Sequence, residues 1–147
     1  MFVGQGTGNE YVSVNKRVAI MFLFAVVALT PAYGKKYPLT ASAVVPAARG
    51  KVDIGKNSNG NTTVKIEAEH LAAPDKLSPP GSDYIVWFQE RGGEPQTQGR
   101  IRVDKNLKGS FETSTPLKNF DIFVTAESDA GAKLPTGPEV FRTTVQQ

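Results

Sequence analysis

The sequence predicts an all-β fold: an antiparallel, immunoglobulin-like β-sandwich of about seven strands that follows a signal-peptide helix. Beyond residue 48, apolar and polar residues alternate with a period of two, and no segment shows the period of an amphipathic helix. Turns rich in glycine, proline and asparagine separate the alternating segments. The chain has 147 residues, which leaves the length of one such domain once the N-terminal region is set aside.

Residues 16–34 have the three parts of a signal peptide. Lys16 and Arg17 precede an uncharged apolar run at residues 18–29, and Ala32-Tyr33-Gly34 puts small residues at the two positions that a signal peptidase inspects. The alternative is an uncleaved membrane anchor. A spanning helix needs roughly 20 apolar residues, more than this run supplies, so the pattern favours cleavage.

The organisation of the remaining chain follows from this cleavage site. We expect the mature protein to begin at Lys35, to be periplasmic or extracellular, and to contact a membrane only through an uncleaved signal segment. Residues 35–48 are small, include two prolines and show no period, which indicates a flexible tether. The expected divisions are therefore a leader at 1–15, the signal peptide at 16–34, the tether at 35–48 and the β-sandwich domain at 49–147.

Seven strands are predicted within that domain. Val52 and Ile54 mark the first strand and Val64 and Ile66 the second, with an Asn-Gly hairpin turn at Asn59-Gly60 between them. The Cys-Trp-Cys pattern of true immunoglobulin domains is absent. The other predicted strands lie at residues 84–88, 100–104, 109–115, 120–127 and 139–145, with Gly/Pro-rich loops at 72–82 and 128–138.

Composition excludes several classes of function. There are 17 Lys and Arg residues against 14 Asp and Glu, a net charge of +3, and both signs are interspersed along the chain. No basic cluster is present to follow a phosphate backbone, so nucleic acid is not an expected partner. The chain has no cysteine, which excludes disulfides, thiol catalysis and zinc sites built on thiolates.

Individual motifs do not predict catalysis, a cofactor or a metal. His70 is the single histidine, and we expect it to end a strand with its ring hydrogen-bonded to backbone. The segment 104–109 begins like a calcium loop, but lysines interrupt it and no closing glutamate follows, so a hairpin turn is favoured. Carboxylates are scattered, which leaves a paired acid/base site unsupported but open.

The feature that points to binding is aromatic. On the predicted strand 84–88, Ile85 and Trp87 share one face, and on strand 120–127 Phe123 points away from the more apolar face. If the two strands are neighbours, Ile85, Trp87 and Phe123 form an exposed candidate binding patch. The open alternatives are that loop 72–82 or loop 128–138 covers this patch, or that Trp87 points into the core.

Five short segments within residues 84–142 occur in a familiar order. This order and spacing resembles the extracytoplasmic C-terminal domain of anti-sigma-K factors. The resemblance implies a sensor-like domain with no catalytic residues to carry over. Only fifteen residues precede Lys16, so the helical part that grips a sigma factor is not expected. The segments are Tyr84-Ile85-Val86-Trp87-Phe88, Gly92-Gly93-Glu94-Pro95, Gly99-Arg100-Ile101, Phe123-Val124-Thr125-Ala126-Glu127 and Leu134-Pro135-Thr136-Gly137-Pro138.

Three functions remain as expectations. The first is an exported, non-catalytic binding module of the bacterial envelope, whose partner is a protein or a glycan and which uses a sheet face or the 128–138 loop. Another is an accessory subunit of a trans-envelope signalling system. The alternative is a carboxylate-dependent hydrolase that acts on envelope polymers. A concave site lined by two or more carboxylates would favour the hydrolase.

Overall fold

The computed structural model describes residues 33–147, and its regular structure is almost entirely β. A single 3-10 turn, Pro74–Lys76, accompanies eight strands in this part of the chain. The strands are β1 (Tyr33–Ala41), β2 (Arg49–Lys56), β3 (Thr62–Glu69), β4 (Asp83–Gln89), β5 (Gln96–Val103), β6 (Gly109–Thr115), β7 (Phe120–Glu127) and β8 (Glu139–Val145).

The predicted sandwich is wrong, because the sheet closes on itself as an eight-stranded antiparallel barrel in the order β1-β2-β3-β6-β5-β4-β7-β8. Two short seams complete the closure. Strand β1 meets β8 at Thr40 and Ala41, and β5 meets β6 at Arg102 and Val103. A sandwich would leave these four strands as edges with unpaired backbone groups, whereas the seams pair them.

The seven predicted strands correspond to β2–β8. Four of the five strands predicted with bounds, those at residues 84–88, 109–115, 120–127 and 139–145, agree with the structure to within one residue at each end, and the first two predicted strands lie within β2 and β3. Strand β5 begins at Gln96, four residues before the predicted start at residue 100. The Asn-Gly turn is also confirmed, since Gly60 has φ of 77°, which glycine adopts without strain.

The segment expected to be a flexible tether instead supplies the strand that the sequence prediction lacks. Residues 36–39 of β1 pair in register with β2, and Leu39 inserts into the core with 6% exposure. Val45 and Ala48, in the connection to β2, are also buried. The expected leader and residues 16–32 of the expected signal peptide lie outside the described residues, while Tyr33 and Gly34 begin β1.

The core lies inside the barrel and is built by alternation along each strand. Strand β4 turns Tyr84, Val86 and Phe88 inward, and β7 turns Phe120 and Ile122 inward. The Phe88 and Phe120 rings pack with centroids 4.9 Å apart. Burial of these large side chains is the main source of stability in a domain without disulfides.

The outer face of β1, β2, β3 and β6 is charged. Lys36, Asp53, Lys65 and Glu112 lie directly opposite one another across these four strands, so the sign alternates along the row. Beside this row, Glu67 accepts hydrogen bonds from Lys51 and Lys65, which lower its pKa to about 2. Opposite charges on directly facing residues stabilise the pairing of these strands. Within residues 33–147, no helix is long and apolar enough to cross a membrane.

Candidate functional site

The three residues of the candidate patch lie together as the alternation predicts. Strands β4 and β7 are neighbours, and Trp87 lies directly opposite Phe123 in their register. The two rings stack with centroids 6.4 Å apart and planes 18° from parallel. Ile85, Trp87 and Phe123 form a hydrophobic cluster separate from the barrel core. We call this group the outer cluster.

The outer cluster is not exposed, which corrects the predicted surface. Trp87 has 0% exposure, Ile85 2% and Phe123 3%. Ala132, in the middle of the 128–138 loop between β7 and β8, packs against the cluster, and the Arg142 guanidinium lies 4.4 Å from the centroid of the Phe123 ring. One of the alternatives is therefore observed: the 128–138 loop folds over the rings, and the cluster acts as a second small core.

A chain of hydrogen bonds connects the outer cluster to the base of this loop. The Trp87 indole Nε1 donates to Thr125 Oγ1 at 2.8 Å, and the Thr125 hydroxyl donates to Glu127 Oε1 at 2.5 Å. Glu127 Oε2 accepts from the Thr136 hydroxyl at 2.7 Å and from the Gly137 N–H at 2.9 Å, and the Thr136 N–H donates to the same carboxylate. We call this arrangement the Glu127 anchor.

The Glu127 carboxylate is buried yet favours its charged form. Its residue exposure is 1%. Burial by itself would raise the pKa, but the hydrogen bonds from Thr125, Thr136 and Gly137 together outweigh burial and hold the pKa below its usual value. Hydrogen bonds to a charged acceptor are stronger than those between neutral groups. A carboxylate that accepts several of them therefore holds the donor residues firmly in place. The anchor therefore fixes both ends of the loop to each other.

Glu127 was not among the candidate residues predicted from the sequence, although the two segments that the anchor joins both belong to the resemblance at residues 84–142. Thr125-Ala126-Glu127 ends β7, and Thr136, nine residues after Glu127, lies with Gly137 near the far end of the loop. The sequence feature that could have predicted the anchor is a glutamate at the end of a strand followed by the Pro-Thr-Gly-Pro segment at residues 135–138. Gly137 is required there because a Cβ at that position would overlap the carbonyl oxygen of Ala126.

The anchored loop presents an apolar side chain to solvent. Leu134 has 56% exposure, and Lys133 beside it is also exposed. Leu107, in the turn between β5 and β6, is the other large hydrophobic side chain exposed in the described chain, at 44%. Loops carried by a rigid scaffold are the usual position of recognition residues.

Arg142 forms a second polar group beside the outer cluster. Its guanidinium donates to both oxygens of Glu139, at 2.9 and 2.7 Å, and to Asp121 Oδ2 at 3.1 Å. Hydrogen bonds from Arg142 to Glu139 are the main cause that raises the pKa of the arginine, so it stays charged. The Thr144 hydroxyl donates to the other oxygen of Asp121 at 2.7 Å.

One end of the barrel carries an open cleft of about 850 Å³. Its residues come from the end of β4 and the turn that follows it, the start of β7, and the end of β8 with the residues beyond. We call it the end cleft and define it by residues 89–92, 119–121 and 144–147. Its size lies within the range of small-ligand sites, but its lining is unusually polar.

Two carboxylates line the end cleft, Glu90 and Asp121. This is the feature expected of the hydrolase alternative. Both oxygens of Asp121 already accept hydrogen bonds, from Arg142 and Thr144, whereas Glu90 is exposed on the turn. In the cleft, the Asp121 carboxylate is therefore fixed by hydrogen bonds, whereas the Glu90 side chain is exposed to solvent.

His70 and the turn at residues 104–109 were the other candidate sites considered from the sequence. His70 directly follows β3 and has a left-handed conformation, φ 54°, and its side chain is exposed. Its ring makes no hydrogen bond among the described residues, so the expected ring-to-backbone bond is not observed. Asp104 closes the predicted hairpin turn, with Oδ1 accepting from Asn106 N and Lys108 N. No cluster of three or more metal-ligating side chains occurs within residues 33–147.

Comparison with protein-family models and with curated proteins finds no match to this chain.

Proposed function

We propose that this protein is an exported interaction module of the bacterial envelope, similar to an anti-sigma-factor sensor domain, that binds a protein partner through its 128–138 loop without catalysing a reaction. Export is supported by the signal-peptide pattern at residues 16–34, and the sensor-like role by the resemblance over residues 84–142. The barrel supplies a rigid support, since each strand pairs with two neighbours.

The Glu127 anchor carries this proposal. A loop of eleven residues would lose much conformational entropy if it became ordered only on binding. Here the buried Glu127 carboxylate already joins the two ends of the loop, and Ala132 rests on the outer cluster. A pre-organised loop that exposes Leu134 binds with a smaller entropic cost.

The chemistry of the loop tip favours a protein partner. Leu134 is aliphatic, and its burial in an apolar recess of a partner would contribute about 2 kcal/mol. Lys133 can add a rim charge. The rings of the outer cluster are covered, so they offer no stacking surface for a sugar at this loop.

Site-specific photocrosslinking in an exporting bacterium tests the proposal. A photoreactive phenylalanine analogue replaces Lys133, next to Leu134, in the full chain. We expect one discrete protein adduct, and we expect Leu134→Asp in the same chain to abolish it. The matched control is Leu107→Asp, which changes the other exposed leucine and should leave the adduct intact.

Two results would overturn the proposal. One is the absence of an adduct from position 133. The other is an adduct that is equally strong with Leu134→Asp and with Leu107→Asp, since this pattern would show that the crosslink does not depend on the loop tip.

A hydrolase is the second candidate, and the two carboxylates of the end cleft are the observation that favours it. Acid/base hydrolysis of a glycosidic bond uses two carboxylates that flank the bond. Incubation of the protein with soluble envelope polysaccharide, followed by an assay for reducing ends, tests it. Release of reducing ends that disappears in Glu90→Gln would establish the hydrolase, whereas no release from the wild-type protein removes it.

A further inference from the structure

The end cleft lies at the end of the barrel where β4 and β8 end and β7 begins. The last β4 residue that pairs with β7 is Gln89, opposite Asp121, and the last β8 residue that pairs with it is Val145, opposite Phe120. The chain continues past both positions and forms two walls that flank the start of β7. Strands β4 and β8, which lead into these walls, lie on either side of β7 and are therefore about 9–10 Å apart, twice the spacing between neighbouring strands.

Hydrogen bonds fix both walls. On the β4 side, Gln89 Nε2 donates to the Gly93 carbonyl at 2.9 Å, and the Gly93 N–H donates to the Glu90 carbonyl at 2.9 Å. On the β8 side, the Tyr37 hydroxyl donates to the Gln146 carbonyl at 2.7 Å, and the Gln147 N–H donates to the Asn119 side chain at 3.1 Å. The cleft is therefore formed before any ligand enters.

The lining presents hydrogen-bonding groups of both kinds. Side-chain amides, which offer a donor and an acceptor side by side, occur at four cleft positions: Gln89, Asn119, Gln146 and Gln147. Arg91 and Thr144 add a guanidinium and a hydroxyl, and Glu90 and Asp121 add acceptors. The charges of Arg91 and Glu90 offset each other and Asp121 is paired with Arg142, so the site suits an uncharged ligand rich in hydroxyl groups.

Peptides fit this lining less well than sugars do. Extended peptides are recognised by pockets that accept alternate side chains. The apolar members of the cleft are Phe120 and Val145, which have 2% and 0% exposure and already belong to the barrel core. They leave no apolar recess for a peptide side chain. An oligosaccharide needs no such recess, because its hydroxyl groups alternate as donors and acceptors along its length.

We propose that the end cleft is a binding site for a short, uncharged oligosaccharide, held between the turn at residues 90–92 and the chain at residues 144–147. The site is separate from the 128–138 loop and does not depend on the protein partner proposed there. Glu90 and Arg91 contact the ligand from one wall, and the side-chain amide of Gln146 binds it from the other, while the Gln147 amide is held by Thr62 at 3.0 Å.

The test is an NMR titration of the full chain, in which the amide spectrum also reports whether each variant is folded. The probes are neutral tetrasaccharides of glucose, N-acetylglucosamine, mannose and galactose, each raised to about 10 mM, which detects dissociation constants in the millimolar range. An uncharged tetrapeptide is the comparison ligand. We expect at least one tetrasaccharide to shift the amides of residues 89–92, 119–121 and 144–147, and not those of residues 128–138.

Substitutions in the exposed turn at residues 90–92 then test whether the saccharide binds in the end cleft. Arg91→Ala and Glu90→Ala should each weaken the affinity for the saccharide roughly tenfold. Glu94→Ala, in the same turn but outside the cleft, should leave it unchanged. The proposal is overturned if none of the four saccharides shifts the cleft amides, if only the tetrapeptide does, or if Arg91→Ala and Glu90→Ala bind as the wild type does. Cleavage of the saccharide would support the site while refuting the non-catalytic function.

Discussion

Glu127 accepts hydrogen bonds from three residues while it is almost fully buried, so its replacement tests the anchor at the scale of one side chain. Glu127→Gln keeps the size and shape of the side chain but removes its charge. It also places an amide NH₂, itself a donor, beside the groups that donate to the carboxylate. We expect the free energy of unfolding to fall by about 2–3 kcal/mol, because charged hydrogen bonds are lost and a buried donor is left unpaired. Urea denaturation measures it. The control Glu94→Gln, on the exposed turn, should change the free energy by less than about 0.5 kcal/mol.

The same carboxylate predicts a pH dependence. The pKa of Glu127 is lower in the folded protein than its usual value of 4.5, so its ionised form contributes stability above that pH. This contribution is lost as the pH falls through the lowered pKa. The difference in unfolding free energy between wild type and Glu127→Gln should therefore be constant near neutral pH and should shrink below pH 4.5. A difference that grows on acidification would contradict this assignment.

Trp87 has the burial of a core residue although it lies outside the barrel. Trp87→Ala should therefore lower the free energy of unfolding by about 3–5 kcal/mol, as for a large ring in a core. Trp87→Phe keeps a ring over Phe123 but removes the N–H that donates to Thr125, and we expect a smaller loss of about 1–2 kcal/mol. Urea denaturation measures both losses. If the two substitutions lowered the free energy of unfolding equally, the contribution of Trp87 to stability would come mainly from its indole N–H and not from packing of the ring.

Strand β1 is the element whose contribution is most directly testable. If residues 35–48 were a flexible tether, Leu39→Ala would have almost no effect on stability. Since Leu39 is buried against the core, we expect the free energy of unfolding to fall by about 2–4 kcal/mol. Leu134→Ala, at a leucine with 56% exposure, is the matched control and should leave stability nearly unchanged.

The elements differ in how far the sequence could predict them. Strand β3 alternates strictly and β7 alternates except at Phe123, so their positions and inward faces could be predicted from period alone. Strand β1 carries Lys35-Lys36 and Pro38 and has no clear alternation, so its pairing with β2 depends on contacts that no local pattern records. Coverage of Trp87 could not be predicted either, because it depends on the path of the 128–138 loop and on a carboxylate that binds across it.

At the scale of the whole molecule, the barrel differs from a sandwich only at its two short seams. Gly109 lies in the β5–β6 seam, opposite Val103, where an added Cβ would approach Ile101 Cγ2 to 2.5 Å. Gly109→Ala should push the strands apart and lower the free energy of unfolding by about 1–3 kcal/mol. Gly93→Ala, where the nearest atom would be 3.4 Å away, is the control. No effect of Gly109→Ala on urea denaturation would show that this seam is not closed in solution.

The central claim is that the 128–138 loop is held in place before any partner binds, and amide hydrogen exchange tests it most directly. The Thr136 and Gly137 N–H groups donate to Glu127, so in the wild-type protein they should exchange roughly a hundredfold more slowly than free amides. Glu127→Gln should remove this protection while the amides of β4 and β7 stay protected, because the barrel remains folded. Fast exchange at Thr136 and Gly137 in the wild-type protein would contradict the account, since the loop would then be unanchored.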